Sequence, residues 1–182
     1  MVKCLQLKQG GKIMGLDMYL EIRKDEYRSK YHQDKGSDLA LEYPKDITEF
    51  IPIPTDLTIS RQTNYKVGYW RKANQIHNWF MQNCAERDDW DNPIDDCRPI
   101  RITTGALEKL LDTCKKVLAD HSLASSLLPT QSGFFFGSTE YDEYYFSDIE
   151  KTIKIIEPVL KFAKHKLEIE DYDWEVYYQA SW

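Results

Sequence analysis

Asp17, Glu140, Asp142 and Glu143 are the acids whose settings make them candidates for chemistry. Carboxylates delivered at strand ends can hold a divalent ion for phosphodiester or glycosidic hydrolysis. Three of the four fall in Glu140-Tyr141-Asp142-Glu143-Tyr144, soon after Gly133-Phe134-Phe135-Phe136-Gly137. His77 is a candidate base, although its bland reading is a hydrogen-bonded histidine beside the core. One expectation is therefore a metal-dependent hydrolase built from Asp17, Glu140, Asp142 and His77, acting on nucleic acid or nucleotides. The rival expectation takes the same acids as surface. Interleaved with Tyr141 and Tyr144, they form a negative, adhesive face that docks on a basic partner.

A second acidic run surrounds Trp90, with Asp88, Asp89 and Asp91 beside it and Asp95 and Asp96 following. Its spacing lacks the calcium-loop pattern and the Gly that pattern needs at its sharp turn, so no metal is assigned. A third run lies between Glu168 and Glu175. The simplest arrangement puts all three runs on one negative face. Trp70-Arg71-Lys72, followed by Asn74 and Gln75, is the one short basic and aromatic stretch suited to nucleic-acid contact. His32, His77, His121 and His165 are isolated, and no phosphate-binding glycine loop or nucleophile motif is present. Cys4, Cys84, Cys97 and Cys114 form no Cys-x-x-Cys pair and read as reduced thiols. No cofactor is expected.

The 182 residues suit a single domain with a real core. Aromatic residues make up 13%, many of them Tyr and Trp, which favour partly wet contact surfaces. Net charge is −6 and uneven. Residues 1–85 hold 13 Lys and Arg against 10 Asp and Glu, a balance of +3; residues 86–182 hold 11 against 20, a balance of −9. By its totals the chain is no basic nucleic-acid binder. With no apolar run near the roughly 20 residues that span a bilayer and no signal core, a cytoplasmic location is expected.

These residues need elements to position them. Leu16, Met18, Leu20 and Ile22 alternate with Asp17, Tyr19, Glu21 and Arg23, the pattern of a half-buried strand. Residues 25–46 read as a long loop, Ile51–Pro54 as extended chain, and 56–60 and Tyr65–Trp70 as strands. A helix follows Lys72, with Ala73, Ile76, Trp79 and Phe80 on one face. Arg98 to Ile102 is a short strand, and Ala106 to Leu118 is the most regular helix. A shorter helix spans Leu123 to Leu128. The Phe triplet reads as a buried strand, and Ser147-Asp148-Ile149-Glu150 as the capping box of the next helix. Pro158 should kink or break that helix near Lys154 to Glu157. Trp174, Val176, Tyr178 and Ala180 alternate in a terminal strand. The resulting expectation is an α+β fold: a mainly antiparallel sheet with two or three helices packed on one face. Residues 1–13 are expected to be a leader before a single domain of 14–182, with Met14 as the natural start.

Three segments resemble a family of small proteins carried by bacteriophages and other mobile elements. They are Gly15-Leu-Asp-Met-Tyr-Leu20, Val67-Gly-Tyr-Trp-Arg-Lys-Ala-Asn-Gln-Ile-His-Asn-Trp-Phe80, and Leu127 to Phe146. The chain also resembles the type II-A anti-CRISPR proteins in length and style. That resemblance implies a non-enzymatic inhibitor of a host defence nuclease, acting on the guide-loaded Cas9 complex in the bacterial cytoplasm. Glu140, Tyr141, Asp142, Glu143 and Tyr144 would form the contact face, with Asp88, Asp89, Trp90 and Asp91. Trp70, Arg71 and Lys72 would be available to nucleic acid. A homodimer seam and a phage structural or accessory role are the other expectations for the exposed aromatics.

Overall fold

The computed structural model describes residues 15–28, Lys45, Glu49 and 59–182. The expected leader, most of the 25–46 loop and the Ile51–Pro54 segment lie outside these residues. Strands β1 (Asp17–Arg28), β2 (Ile59–Arg71), β3 (Ile100–Ile102) and β4 (Trp174–Ser181) form one antiparallel sheet in the order β2-β1-β4-β3. Between them run helices α1 (Asn74–Cys84), α2 (Thr104–Ala119), α3 (Ala124–Leu127) and α4 (Glu143–Glu168), with a 3₁₀ turn at His121–Leu123.

Side-chain alternation in the two central strands decides which face is covered. Leu16, Met18, Leu20 and Ile22 from the β1 segment, and Val176, Tyr178 and Ala180 from β4, are buried under the helices. Tyr19, Arg23, Tyr177 and Gln179 take the opposite face. In α2 the buried residues Leu107, Leu110, Cys114 and Val117 recur at the helical period. They meet Ile149, Ile156, Val159 and Leu160 of α4 in the same core cluster. The two helices run antiparallel, as the half-exposed pairs Lys115–Glu157 and Lys164–Glu108 show by their order.

Two features bring α4 onto the sheet. Trp70 is fully buried and donates its indole N–H to Thr152 Oγ1 at 2.8 Å. Gly68 leaves room for the helix, since a Cβ there would sit 2.5 Å from the Ile155 side chain. The register slips between Leu20 and Glu21, making Val67 the extra residue of a β-bulge.

Several expectations fail in instructive ways. Strand β1 extends to Arg28, so residues 25–28 are not loop. The two short strands expected between residue 56 and Trp70 are one strand from Ile59. Phe134–Phe136 form a turn instead of a strand, and only Phe136 is buried. Helix α4 starts one turn before the expected capping box, with Asp142 as its cap. It also runs through Pro158 without a break. Pro158 is exposed, so the backbone groups it leaves unpaired are open to water while the buried side of the helix stays packed.

Candidate interaction surface

Helix α1 holds the loop that leads into the acidic-aromatic segment Glu140–Tyr144. Asn74, buried at its first turn, donates from Nδ2 to the carbonyls of Phe136 (3.0 Å) and Ser138 (2.8 Å). Its Oδ1 accepts from Gln131 N at 2.9 Å, so one side chain satisfies three loop backbone groups. Asn78 Nδ2 reaches Pro129 O, and Leu16 N donates to Phe135 O at 3.0 Å. Below the loop, Tyr145 donates its buried hydroxyl to Leu128 O at 2.8 Å. Burial raises that phenol well above its ordinary range.

On this frame the aromatics divide into inward and outward groups. Phe136 packs edge-on against His77 and Trp182. Phe134, its near neighbour, is 94% exposed, and Tyr144 is 73% exposed. Tyr141 rests against Tyr145 with its ring centroid 4.9 Å away, and its hydroxyl lies 3.4 Å from Thr130 N. Glu140 and Glu143 are exposed beside them. Asp142 has a different role: its Oδ1 accepts from Tyr144 N and Tyr145 N, capping α4.

The run around Trp90 is organised in the same way. Asp88 Oδ1 accepts from Asn92 N and Trp90 N at 2.8 and 2.9 Å, which holds its carboxyl below the usual range. Asp89 and Asp91 are exposed, and Trp90 is 81% exposed. This loop is tied to α1 by Arg87, which donates to Gln82 O, and by Asp95, whose Oδ2 lies 3.1 Å from His77 Nε2. The Glu168–Glu175 run lies at the far end of α4, whose 26 residues span about 39 Å.

The alternative catalytic set is not assembled. His77 is fully buried, with Nδ1 2.8 Å from the Tyr178 hydroxyl and Asp95 on its other nitrogen. Asp17 accepts from Tyr69 (2.5 Å) and from Arg71 Nη1 (2.9 Å). Asp142 is the helix cap. Among the described residues no group of three or more His, Cys, Asp or Glu gathers closely enough to hold a metal ion. Of the three expected nucleic-acid contacts, Trp70 is core and unavailable for stacking, whereas Arg71 and Lys72 are exposed.

Asp148 on α4 is half-buried, and that burial pushes its carboxyl up to about 6, against the lowering effects of Lys151 and a Gln75 hydrogen bond. Asn74 and Gln75, which the sequence places beside the basic stretch for nucleic-acid contact, are buried, and Asn74 clasps the loop instead; neither that clasp nor the outward Phe134 is an expectation of the sequence. An Asn directly after Lys72-Ala73 at a helix start, and a run of three large rings too short to bury every one, are the signals that point to them.

Compared with protein-family models, curated proteins and solved structures, the chain matches none. No helix among the described residues is long and apolar enough to cross a membrane.

Proposed function

We propose that this protein is a binding module whose contact surface is the loop from Gly133 to Tyr144. The observation that carries the reading is Phe134: a large ring left almost wholly in water on a loop whose backbone is fixed by Asn74. A fixed, exposed aromatic flanked by Tyr141, Tyr144, Glu140 and Glu143 has the make-up of an interface anchor with a charged rim. Trp90, with Asp89 and Asp91, offers a second anchor mounted on the same helix. Acids around such anchors favour a basic partner, of the kind that holds nucleic acid. Extended by the phage-type resemblance, the proposal is inhibition of a host defence nuclease, with guide-loaded Cas9 as the partner to test.

The test must spare Asp142, because its loss would uncap α4 and confuse folding with binding. Phe134→Ala combined with Glu140→Lys and Glu143→Lys should keep the fold and reduce association with guide-loaded Cas9 at least tenfold. Association should also slow as salt is raised. Unchanged binding by the triple variant would end the proposal.

A further inference from the structure

We infer that the end of the β1–β2 ribbon is a second binding surface, built for single-stranded nucleic acid. Its groups are scattered in sequence and meet only through strand register. Tyr19 pairs with Tyr69 across the ribbon, and their rings lie 5.3 Å apart between centroids. Lys66 Nζ sits 3.9 Å from the Tyr19 ring centre, and Lys151 Nζ of α4 sits 5.6 Å from that of Tyr69. The Tyr69 hydroxyl and Arg71 meet on Asp17. Arg71 and Lys72 both pass close to Gly15, where a Cβ would come within 3.2 Å of the Arg71 guanidinium and 2.9 Å of Lys72 Cε. These contacts join the two rings and four cations into one continuous patch.

Charge complementarity identifies the occupant. Lys66, Arg71, Lys72 and Lys151 are all exposed; among the described residues Asp17 is bonded within the patch, Glu21 lies across from Lys66 but is paired with Arg23, and Asp148 is the acid near Lys151. The result is a local excess of positive charge on a protein whose net charge is −6. Tyr69 is 41% exposed, so part of its ring is open to solvent beside the cations. Stacking rings beside a track of cations suit a flexible strand with unpaired bases, because phosphates and base faces are both available. A duplex hides its base faces, and an acidic peptide has none.

Lys72 adds a separate sign of a built site. Its backbone is left-handed (φ 63°), a conformation that Gly or Asn adopts more easily. Its stem lies against Gly137 as well as Gly15, where side chains would crowd it. A lysine kept in a strained position, with its stem lodged between two glycines, delivers its ammonium to one place. The inference stands without the protein-contact proposal, since it concerns the isolated chain.

The test is anisotropy of labelled single-stranded DNA and RNA 12-mers, and of a DNA duplex, with the purified protein. Single strands should bind more tightly than the duplex. With about 0.7 in log–log slope per phosphate contact, three contacts give roughly a 20-fold loss between 50 and 200 mM salt. The DNA and RNA arms decide which strand is preferred. Lys66→Ala, Lys72→Ala and Lys151→Ala together should weaken binding at least tenfold. Lys72→Gly alone should weaken binding while leaving the melting temperature equal or higher. Wild-type affinity in the triple variant, no binding by either strand, or equal binding of the duplex would overturn the inference. A marked fall in melting temperature for Lys72→Gly would make that lysine a structural prop and remove it from the site.

Discussion

The loop from Gly133 to Tyr144 and the end of the β1–β2 ribbon are both aromatic and charged, yet they use these groups in opposite ways. In the loop, Asp142 is committed to backbone N–H groups, and the large rings of Phe134 and Tyr144 face water. In the ribbon, Tyr19 and Tyr69 lie under lysines, and the cations remain exposed. The two regions adjoin where Lys72 lies against Gly137. Charge counts alone do not distinguish such surfaces. What matters is which charges are already bonded within the fold and which rings are left uncovered.

Removing the support beneath the loop should have the largest effect. Asn74→Ala would leave the Phe136 and Ser138 carbonyls and the Gln131 N–H without their partner, at a cost of about 3 kcal/mol in denaturant unfolding. A cost under about 1 kcal/mol would mean that the loop does not depend on this clasp, and the contrast with the ribbon would lose its basis. Asp142→Ala should cost about 1 kcal/mol through loss of the α4 cap. Glu140→Ala should leave stability unchanged, and Glu143→Ala, in the first turn of α4, should cost only about 0.3 kcal/mol through the helix dipole, which separates the structural acid Asp142 from the contact acids.

Asp148 sharpens the comparison from inside the fold. Its carboxyl is raised from 3.8 to about 6 in the folded protein, so the native state binds the proton more tightly than the unfolded chain. Stability from this group therefore falls as pH rises from about 4 through about 6, and the penalty is complete above that window. Asp148→Asn should accordingly raise stability at pH 7.5 by about 1 kcal/mol, allowing for its partial exposure, and change little at pH 3.5. Equal effects at both values would show that the carboxyl is not strained by burial. The smallest expected change is Phe134→Ala, within about 0.5 kcal/mol, because the ring buries almost nothing within the chain.

Alternation and helical period made most of the fold readable in the sequence. The inward set from Leu16 to Ile22, the α2 stripe and the β4 pattern each depend on a local repeat, and each lies where that repeat put it. The Phe triplet departs from its expected strand because apolar character alone does not secure burial. Two tight contacts, Asn74 on the Phe136 carbonyl and Leu16 on the Phe135 carbonyl, instead fold the segment into a turn. The Ser147-x-x-Glu150 spacing puts the expected α4 start one turn late, because Asp142 in its acidic run reads as a surface or catalytic carboxylate and not as a cap. The ribbon patch was only partly legible. Tyr19 was read on the outer face of β1, but its meeting with Tyr69 and Lys66 requires the β1–β2 register. Lys151 arrives from a helix more than 80 residues later in the chain.

The central claim is that the Gly133–Tyr144 loop binds a partner through side chains the fold itself does not need. Surface-immobilised guide-loaded Cas9, titrated with wild-type protein and with the Phe134→Ala, Glu140→Lys, Glu143→Lys variant, tests it directly. The expected result is saturable, salt-sensitive binding of the wild type and at least tenfold weaker binding of a variant that keeps the wild-type fold and cooperative unfolding. Binding of the two proteins with equal affinity, or no binding of the wild type, would contradict it.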